Sequence, residues 1–183
     1  MTRTATNRRL IIKIQQRGGY KGKHAMIEHF ARAVLADMCS TRLANTLRIT
    51  IKMRKGIKVD GCAHFRDMSK GTTARSKHYT IEVQRDASTW KQLTTITHEL
   101  QHVVQMAQGR LALRGGAYYW RAQGQTGPAT RYEFGSDYYT RPWEIEARAA
   151  CDDGHGLTGT YADLVRETIA ASHAGAFRAA RAA

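Results

Sequence analysis

Two histidines and a glutamate lie close together in the segment His98-Glu99-Leu100-Gln101-His102. Residues four apart on a helix project from the same face, so His98 and His102 can bind one metal ion together. Glu99 then lies beside the ion, where it can hold an activated water and accept its proton. Imidazole and carboxylate ligands with one position left open suit catalytic zinc. The residue types and their spacing therefore predict a hydrolytic site with one Zn2+ per chain.

The surrounding sequence has the pattern of an amphipathic helix. Its apolar stripe consists of Leu93, Ile96, Leu100, Val103 and Ala107, and its opposite face carries Thr94, Thr95, His98, His102 and Gln105. Asp86 and Ser88 are N-cap candidates, and Gly109 suits the C-terminal end. We expect the stripe to be buried and the other face to present both imidazoles to a cleft. The alternative is a solvated helix with two surface histidines, but a chance H-E-x-x-H match has a probability on the order of 1%.

A catalytic zinc site of this type needs a third protein ligand. The downstream side chains able to supply it are Glu133, Asp137, Glu144, Glu146, Asp152, Asp153 and His155. Pro142 suits the first position of a helix, predicted from about 142 to 152, and a carboxylate on a crossing helix can reach the ion. Glu144 and Glu146 differ by about 200 degrees around such a helix, so only one can point at the histidines. The spacing alone leaves both open.

A family resemblance bears on this choice. The H-E-L-x-H-x-x-Q segment, followed by Y-Y-x-x-P-W-E-I-E-A, resembles the gluzincin branch of the zincin metallopeptidases and, more closely, small metallopeptidases encoded by phages. It covers about residues 79 to 150. The resemblance implies a zincin-like fold and peptide-bond hydrolysis, with Glu99 as general base. It also implies that zinc is bound by His98, His102 and a glutamate of the later helix.

The family pattern favours Glu144 as the third ligand. In the CAAX-processing proteases that share this ligand arrangement, an Ala stands three positions after the ligand, as Ala147 does after Glu144. Arg148 stands where the family has Asp or Asn, which leaves the groups that support the histidines unassigned. With Glu144 as ligand, Ile145 and Ala149 are expected on the buried face of this helix.

Two tyrosines precede this helix. Tyr138 and Tyr139 can donate a hydroxyl to a developing oxyanion. The alternative is aromatic packing beside Trp143.

The remaining elements predict an α+β, zincin-like single domain from residue 23 to 183. Helical periodicity covers about 23–39, strand-like alternation covers 47–53, 57–65 and 78–84, and a last helix covers 160–172. Residues 110–135 are predicted as loops with short strands. The expected architecture is an N-terminal helix, a small three-stranded sheet, the H-E-x-x-H helix and C-terminal helices. The resemblance further implies that the strand containing Tyr79, Ile81 and Val83 is the edge strand against which an extended substrate pairs.

Charge is the strongest feature of the composition. The chain of 183 residues has a formal net charge of +14. Residues 1–22 are predicted to form a basic arm. Its cations are Arg3, Arg8, Arg9, Lys13, Arg17 and Lys21, and Lys23 follows directly; all precede the first acidic residue, Glu28. Such an arm attracts nucleic acid through counterion release, or else is a solvated tail. This leaves a rival function: a nucleic-acid-associated or virion structural protein whose zincin-like fold holds a structural or degenerate metal site.

Cysteine usage and hydropathy bear on the compartment. The three cysteines lie far apart and form no C-x-x-C pair, which argues against a zinc ribbon and a disulfide framework. The apolar run Leu10-Ile11-Ile12 is too short for a signal-peptide core. We expect a protein of the cytoplasm, namely the host cytoplasm or the virion if its origin is a phage, with a protein or peptide substrate and no membrane partner.

Overall fold

The computed structural model describes residues 10–15, 21–57, 61–65, 78–151 and 159–177. The strands are β1 (Ile11–Gln15), β2 (Arg48–Arg54), β3 (Gly61–Phe65), β4 (His78–Gln84), β5 (Leu111–Arg114), β6 (Ala117–Trp120) and β7 (Thr130–Glu133). The α-helices are α1 (Lys21–Met38), α2 (Thr41–Ala44), α3 (Thr89–Ala107), α4 (Pro142–Ala150) and α5 (Ala162–His173), and a 3-10 turn spans Tyr138–Thr140. The fold class is α+β, as predicted.

The main sheet has four strands in the order β1-β2-β4-β3. Strands β1, β2 and β4 are parallel, and β3 runs antiparallel to β4. Alternate side chains point to one face, where Ile49, Ile51 and Ile81 are at most 1% exposed. All three predicted strands are present in this sheet.

Strand β1 adds a fourth strand that the sequence pattern did not predict. It lies inside the predicted basic arm and pairs with β2, with Ile12 opposite Ile49 and Ile14 opposite Ile51. Residues 11–15 are therefore part of the domain and not a solvated tail. The remaining arm residues, 1–9 and 16–20, lie outside the described residues, and the proposed boundary after residue 22 falls inside α1.

The prediction that β4 is the edge strand is wrong. Strand β4 lies between β2 and β3, so its backbone groups pair on both sides. The strand at that edge is β3, whose Ala63 pairs with Ile81 of β4. Strand order depends on contacts between distant segments, and alternation within a strand carries no information about its neighbours.

Helices α1 and α3 pack on the buried face of the sheet. Phe30 and Leu35 of α1 and Leu93, Ile96 and Leu100 of α3 are 0% exposed in one continuous core. The three short strands β5, β6 and β7 form a separate antiparallel sheet next to the C-terminal end of α3. Among the described residues, none of the helices combines the length and apolar character that a membrane-spanning segment needs.

The exposed side of α4 differs from the prediction. Trp143, Glu144, Ala147 and Ala150 are its buried residues, whereas Ile145 is 51% exposed. The expectation that Ile145 and Ala149 face the core is therefore wrong, although Glu144 does face inward.

Candidate metal centre

The metal centre is built first of all by α3. Ser88 caps this helix, since its Oγ accepts a hydrogen bond from the backbone N–H of Lys91 at 3.2 Å. The helix ends at Ala107, and Gly109 follows with a left-handed φ of +71°. The predicted cap and stop are confirmed, and His98 and His102 share one face. Helix α4 lies against that face and leaves His102 only 9% exposed.

Helix α4 supplies the third side chain. Pro142 starts it, so Glu144 lies in its first turn. His98 Nε2 is 3.1 Å from His102 Nε2, and Glu144 Oε2 is 3.2 Å from the first nitrogen and 3.3 Å from the second. Three ligand atoms from two helices therefore converge on one point. The three side chains keep between 9% and 14% exposure, so the centre lies just below the surface.

This triangle has the dimensions of a tetrahedral zinc site. Ligand atoms about 2.0–2.1 Å from zinc lie about 3.3 Å from one another in tetrahedral geometry. The sides of 3.1, 3.2 and 3.3 Å match that spacing. The Oε2 atom of Glu144 is buried, and both imidazole nitrogens lie within 3.3 Å of it. A cation bound by all three atoms would satisfy this oxygen and both nitrogens.

A two-bond relay orients the imidazole of His102. Gln105, which is 0% exposed, donates from Nε2 to the Trp143 carbonyl at 3.1 Å. A carbonyl only accepts, so the amide oxygen of Gln105 faces His102 Nδ1, at 2.9 Å. Nδ1 must then carry the proton, which leaves the lone pair of Nε2 pointing at the triangle. The relay therefore selects the tautomer that a metal ligand requires.

The second histidine is also held from its outer edge. The Nδ1 atom of His98 lies 3.7 Å from the Sγ atom of Cys151, at the end of α4. The Cys151 side chain is buried. The two histidines thus each have a contact on the nitrogen that does not face the triangle.

Glu146 faces away from the metal centre. Its carboxylate forms a bidentate ion pair with the guanidinium of Arg110, and one of its oxygens accepts a hydrogen bond from Gln101 Nε2 at 2.5 Å. Arg110 also stacks over Trp120, with its guanidinium carbon 4.7 Å from the ring centroid. This cluster fastens α4 to α3 and β6. Of the two glutamates that the spacing left open, Glu144 is therefore the one at the histidines.

The charges of Glu99, Glu144 and the two histidines shift the pKa values of His102, Glu144 and Tyr138. Burial would lower the pKa of His102, but Glu144 and the negative charge of Glu99 raise it above its usual value. Burial would likewise raise the pKa of Glu144, but the two imidazoles bring it well below its usual range. Burial raises the pKa of Tyr138, and the carboxylates of Glu144 and Glu99 raise it further, so this hydroxyl stays protonated. Glu99 is 6% exposed and close to both groups.

Several other predicted residues lie elsewhere. Glu133 forms an ion pair with Arg131, and Asp137 accepts a hydrogen bond from the backbone of Tyr139 at 3.1 Å. Tyr139 is 71% exposed, whereas Trp143 packs against Tyr118, Trp120 and Tyr132. Asp152, Asp153 and His155 lie outside the described residues. Sequence reasoning did not assign a role to Gln105 or Arg110, because their partners on α4, the Trp143 carbonyl and Glu146, lie 38 and 36 positions away along the chain.

Comparison with known proteins does not assign the chain to a family. A scan against protein-family models and searches of curated proteins and of solved structures found no match.

Proposed function

We propose that this protein is a zinc-dependent metallopeptidase in which His98, His102 and Glu144 bind the metal. The observation that carries the proposal is the triangle of ligand atoms, with sides of 3.1–3.3 Å, beside a buried glutamate that is not one of the ligands. Structural zinc sites are usually closed by four protein ligands, often cysteines. In the described part of the chain, the ligand group has three members and leaves one position for a water or substrate.

The chemistry divides between the metal and the chain. Zinc bound at this centre supplies a Lewis acid that polarises a carbonyl and lowers the pKa of a water. Glu99 accepts the proton of the attacking water and returns it to the amine of the leaving group. The relay through Gln105 keeps His102 in the ligating tautomer during this cycle. The substrate is a protein or peptide, and the edge strand β3 offers backbone groups for an extended segment to pair with.

The experiment that tests this function replaces the proposed general base. Glu99→Gln should retain zinc, because Glu99 is not a ligand, and should lose at least about 100-fold of the hydrolysis of a mixed peptide library. Glu133→Gln, which neutralises an exposed glutamate, is the matched control and should retain full activity. Peptide cleavage by the Glu99→Gln variant at the wild-type rate would refute the mechanism. A zinc-loaded wild type that cleaves no peptide of the library would refute the peptidase function and favour the structural alternative.

Tyr138 is the tyrosine that we propose as a donor to the developing oxyanion. Tyr138→Phe should lower kcat about 10- to 100-fold with little change in zinc content, because it removes one hydroxyl beside the centre. Tyr139→Phe removes the hydroxyl of the neighbouring, 71% exposed ring and should leave kcat unchanged. Equal kcat values for the two variants would remove Tyr138 from the mechanism.

A further inference from the structure

The sheet has a second face that no described helix covers. We call it the open face and define it by the side chains that alternate with the buried ones. These are Ile11, Lys13 and Gln15 of β1, Arg48, Thr50, Lys52 and Arg54 of β2, and His78, Thr80, Glu82 and Gln84 of β4. Each of them is exposed or half-buried, whereas the residues between them on β2 and β4 are buried against α1 and α3. Lys13, Arg48 and Arg54 are among the exposed ones.

The open face is strongly cationic. It carries Lys13, Arg48, Lys52 and Arg54 against a single carboxylate, that of Glu82. The guanidinium nitrogen Nη1 of Arg54 is 3.3 Å from Oε1 of Glu82, so these two charges neutralise each other. Among the described residues, no carboxylate forms a salt bridge with Lys13, Arg48 or Lys52. Glu82 also lies opposite Lys52 in the strand register, but four cations against this one carboxylate leave the face with a net positive charge that can meet the charge of a partner.

The register of the sheet arranges the cations as an array. Lys13 is paired with Thr50, and so lies beside the midpoint between Arg48 and Lys52 on the neighbouring strand. The Cα atoms of residues two apart on a strand are about 6.7 Å apart, and neighbouring strands are about 4.8 Å apart. The Cα atom of Lys13 is therefore about 8 Å from the Cα atoms of Arg48 and Lys52. From Arg48 to Arg54 the array is about 20 Å long. One strand of duplex DNA has a phosphate about every 3.4 Å along its axis, so the array spans five or six phosphates.

From these observations we propose that the open face binds the phosphate backbone of nucleic acid. Thr50 lies between Arg48 and Lys52, and Gln15 and Gln84 lie opposite Lys52 and Arg54 on the neighbouring strands. Hydroxyl and amide groups of this kind donate hydrogen bonds to phosphate oxygens. The face carries no Phe, Tyr or Trp side chain from β1, β2 or β4 that could stack on a base, so we infer binding without sequence preference. None of the large exposed apolar residues of the described chain, Phe134, Tyr138, Tyr139 and Ile145, belongs to β1, β2 or β4. This arrangement favours nucleic acid over an anionic membrane surface, because membrane binding also uses apolar insertion.

The test compares two triple variants with the same change of charge. The first replaces Lys13, Arg48 and Lys52 with Gln, and the second replaces the exposed Arg42, Arg114 and Arg166 with Gln as the control. Binding of each full-length protein to a random-sequence 30-base-pair duplex is measured between about 50 and 200 mM salt. Thermal unfolding and zinc content of both variants show whether each is folded.

The open-face variant should bind about 10- to 100-fold more weakly at about 0.1 M salt. The slope of log affinity against log salt should fall by about 3, or about 0.9 for each lost phosphate contact. The control variant should lose much less affinity, and its salt slope should change much less. Equal losses in the two variants would overturn the proposal, since binding would then follow net charge alone. A wild type that does not bind DNA would also overturn it. So would a variant lacking residues 1–9 that loses all DNA binding while the open-face variant keeps it. Tighter binding to phosphatidylserine vesicles than to DNA, lost in the same triple variant, would replace the nucleic acid with a membrane.

Discussion

At the scale of single residues, hydrogen bonds within the chain already hold the side chains of the candidate metal centre in place. Gln105 is completely buried and bridges His102 Nδ1 to the Trp143 carbonyl. Trp143 directly precedes Glu144, so one side chain connects a histidine ligand with the backbone that carries the carboxylate ligand. Such outer contacts commonly change metal affinity by about 10- to 100-fold.

Replacing Gln105 should therefore weaken zinc binding without removing a ligand. We expect Gln105→Ala to raise the zinc dissociation constant about 10- to 100-fold, because the His102 ring loses its orientation and its fixed tautomer. Competition with a chelator of known affinity measures this constant. Gln108→Ala, on the exposed C-terminal end of the same helix, should leave the constant unchanged. An unchanged constant in the folded Gln105→Ala variant would show that His102 is oriented by other contacts.

At the scale of elements, local patterns were predictable and long-range arrangements were not. The limits of α3 follow from its cap, its apolar stripe and its terminal glycine, all of which are local signals. Strand β1 was missed because only pairing with β2, more than thirty residues later, makes this short apolar run a strand. For the same reason the edge position was assigned to β4 instead of β3.

The sequence predicts one part of the candidate site from local spacing and leaves the other part open. Helical spacing alone predicted that His98 and His102 share a face. The choice of Glu144 over Glu146 needed the resemblance, because it depends on how α4 crosses α3. The physical reason for the choice is that Glu146 is held by Arg110 and Gln101 on the other side of the crossing. The hydrophobic pattern of α4 was misleading, since the polar Glu144 is buried and Ile145 is exposed.

The place of β1 in the fold gives a stability prediction. Ile12 is 6% exposed in the core, so Ile12→Ala should lower the free energy of unfolding by about 2–5 kcal/mol. Lys13→Ala, the neighbouring exposed position on the same strand, should change it by no more than about 0.5 kcal/mol. Denaturant unfolding measures both. If Ile12→Ala is as stable as Lys13→Ala, then β1 contributes nothing to the fold and residues 11–15 behave as the arm that the charge pattern suggested.

At the scale of the whole molecule, the two proposed surfaces lie on different sides of the main sheet. Helix α3 packs on the buried face and holds the metal centre on the side where it meets α4. The cations Lys13, Arg48 and Lys52 lie on the opposite face. A duplex bound to the open face would therefore leave the metal centre accessible. Under the two proposals, the formal charge of +14 would serve association with a polyanion, while hydrolysis would use the separate carboxylates of Glu99 and Glu144.

The most direct test of the metal centre is diffraction from zinc-loaded crystals at the zinc absorption edge. One anomalous peak per chain should lie about 2.0–2.2 Å from His98 Nε2, His102 Nε2 and a Glu144 carboxylate oxygen, with Glu146 still paired to Arg110. A peak bound by Glu146 would show that α4 was placed with the wrong face toward the histidines. A peak at another site, with none between His98 and His102, would contradict the central claim.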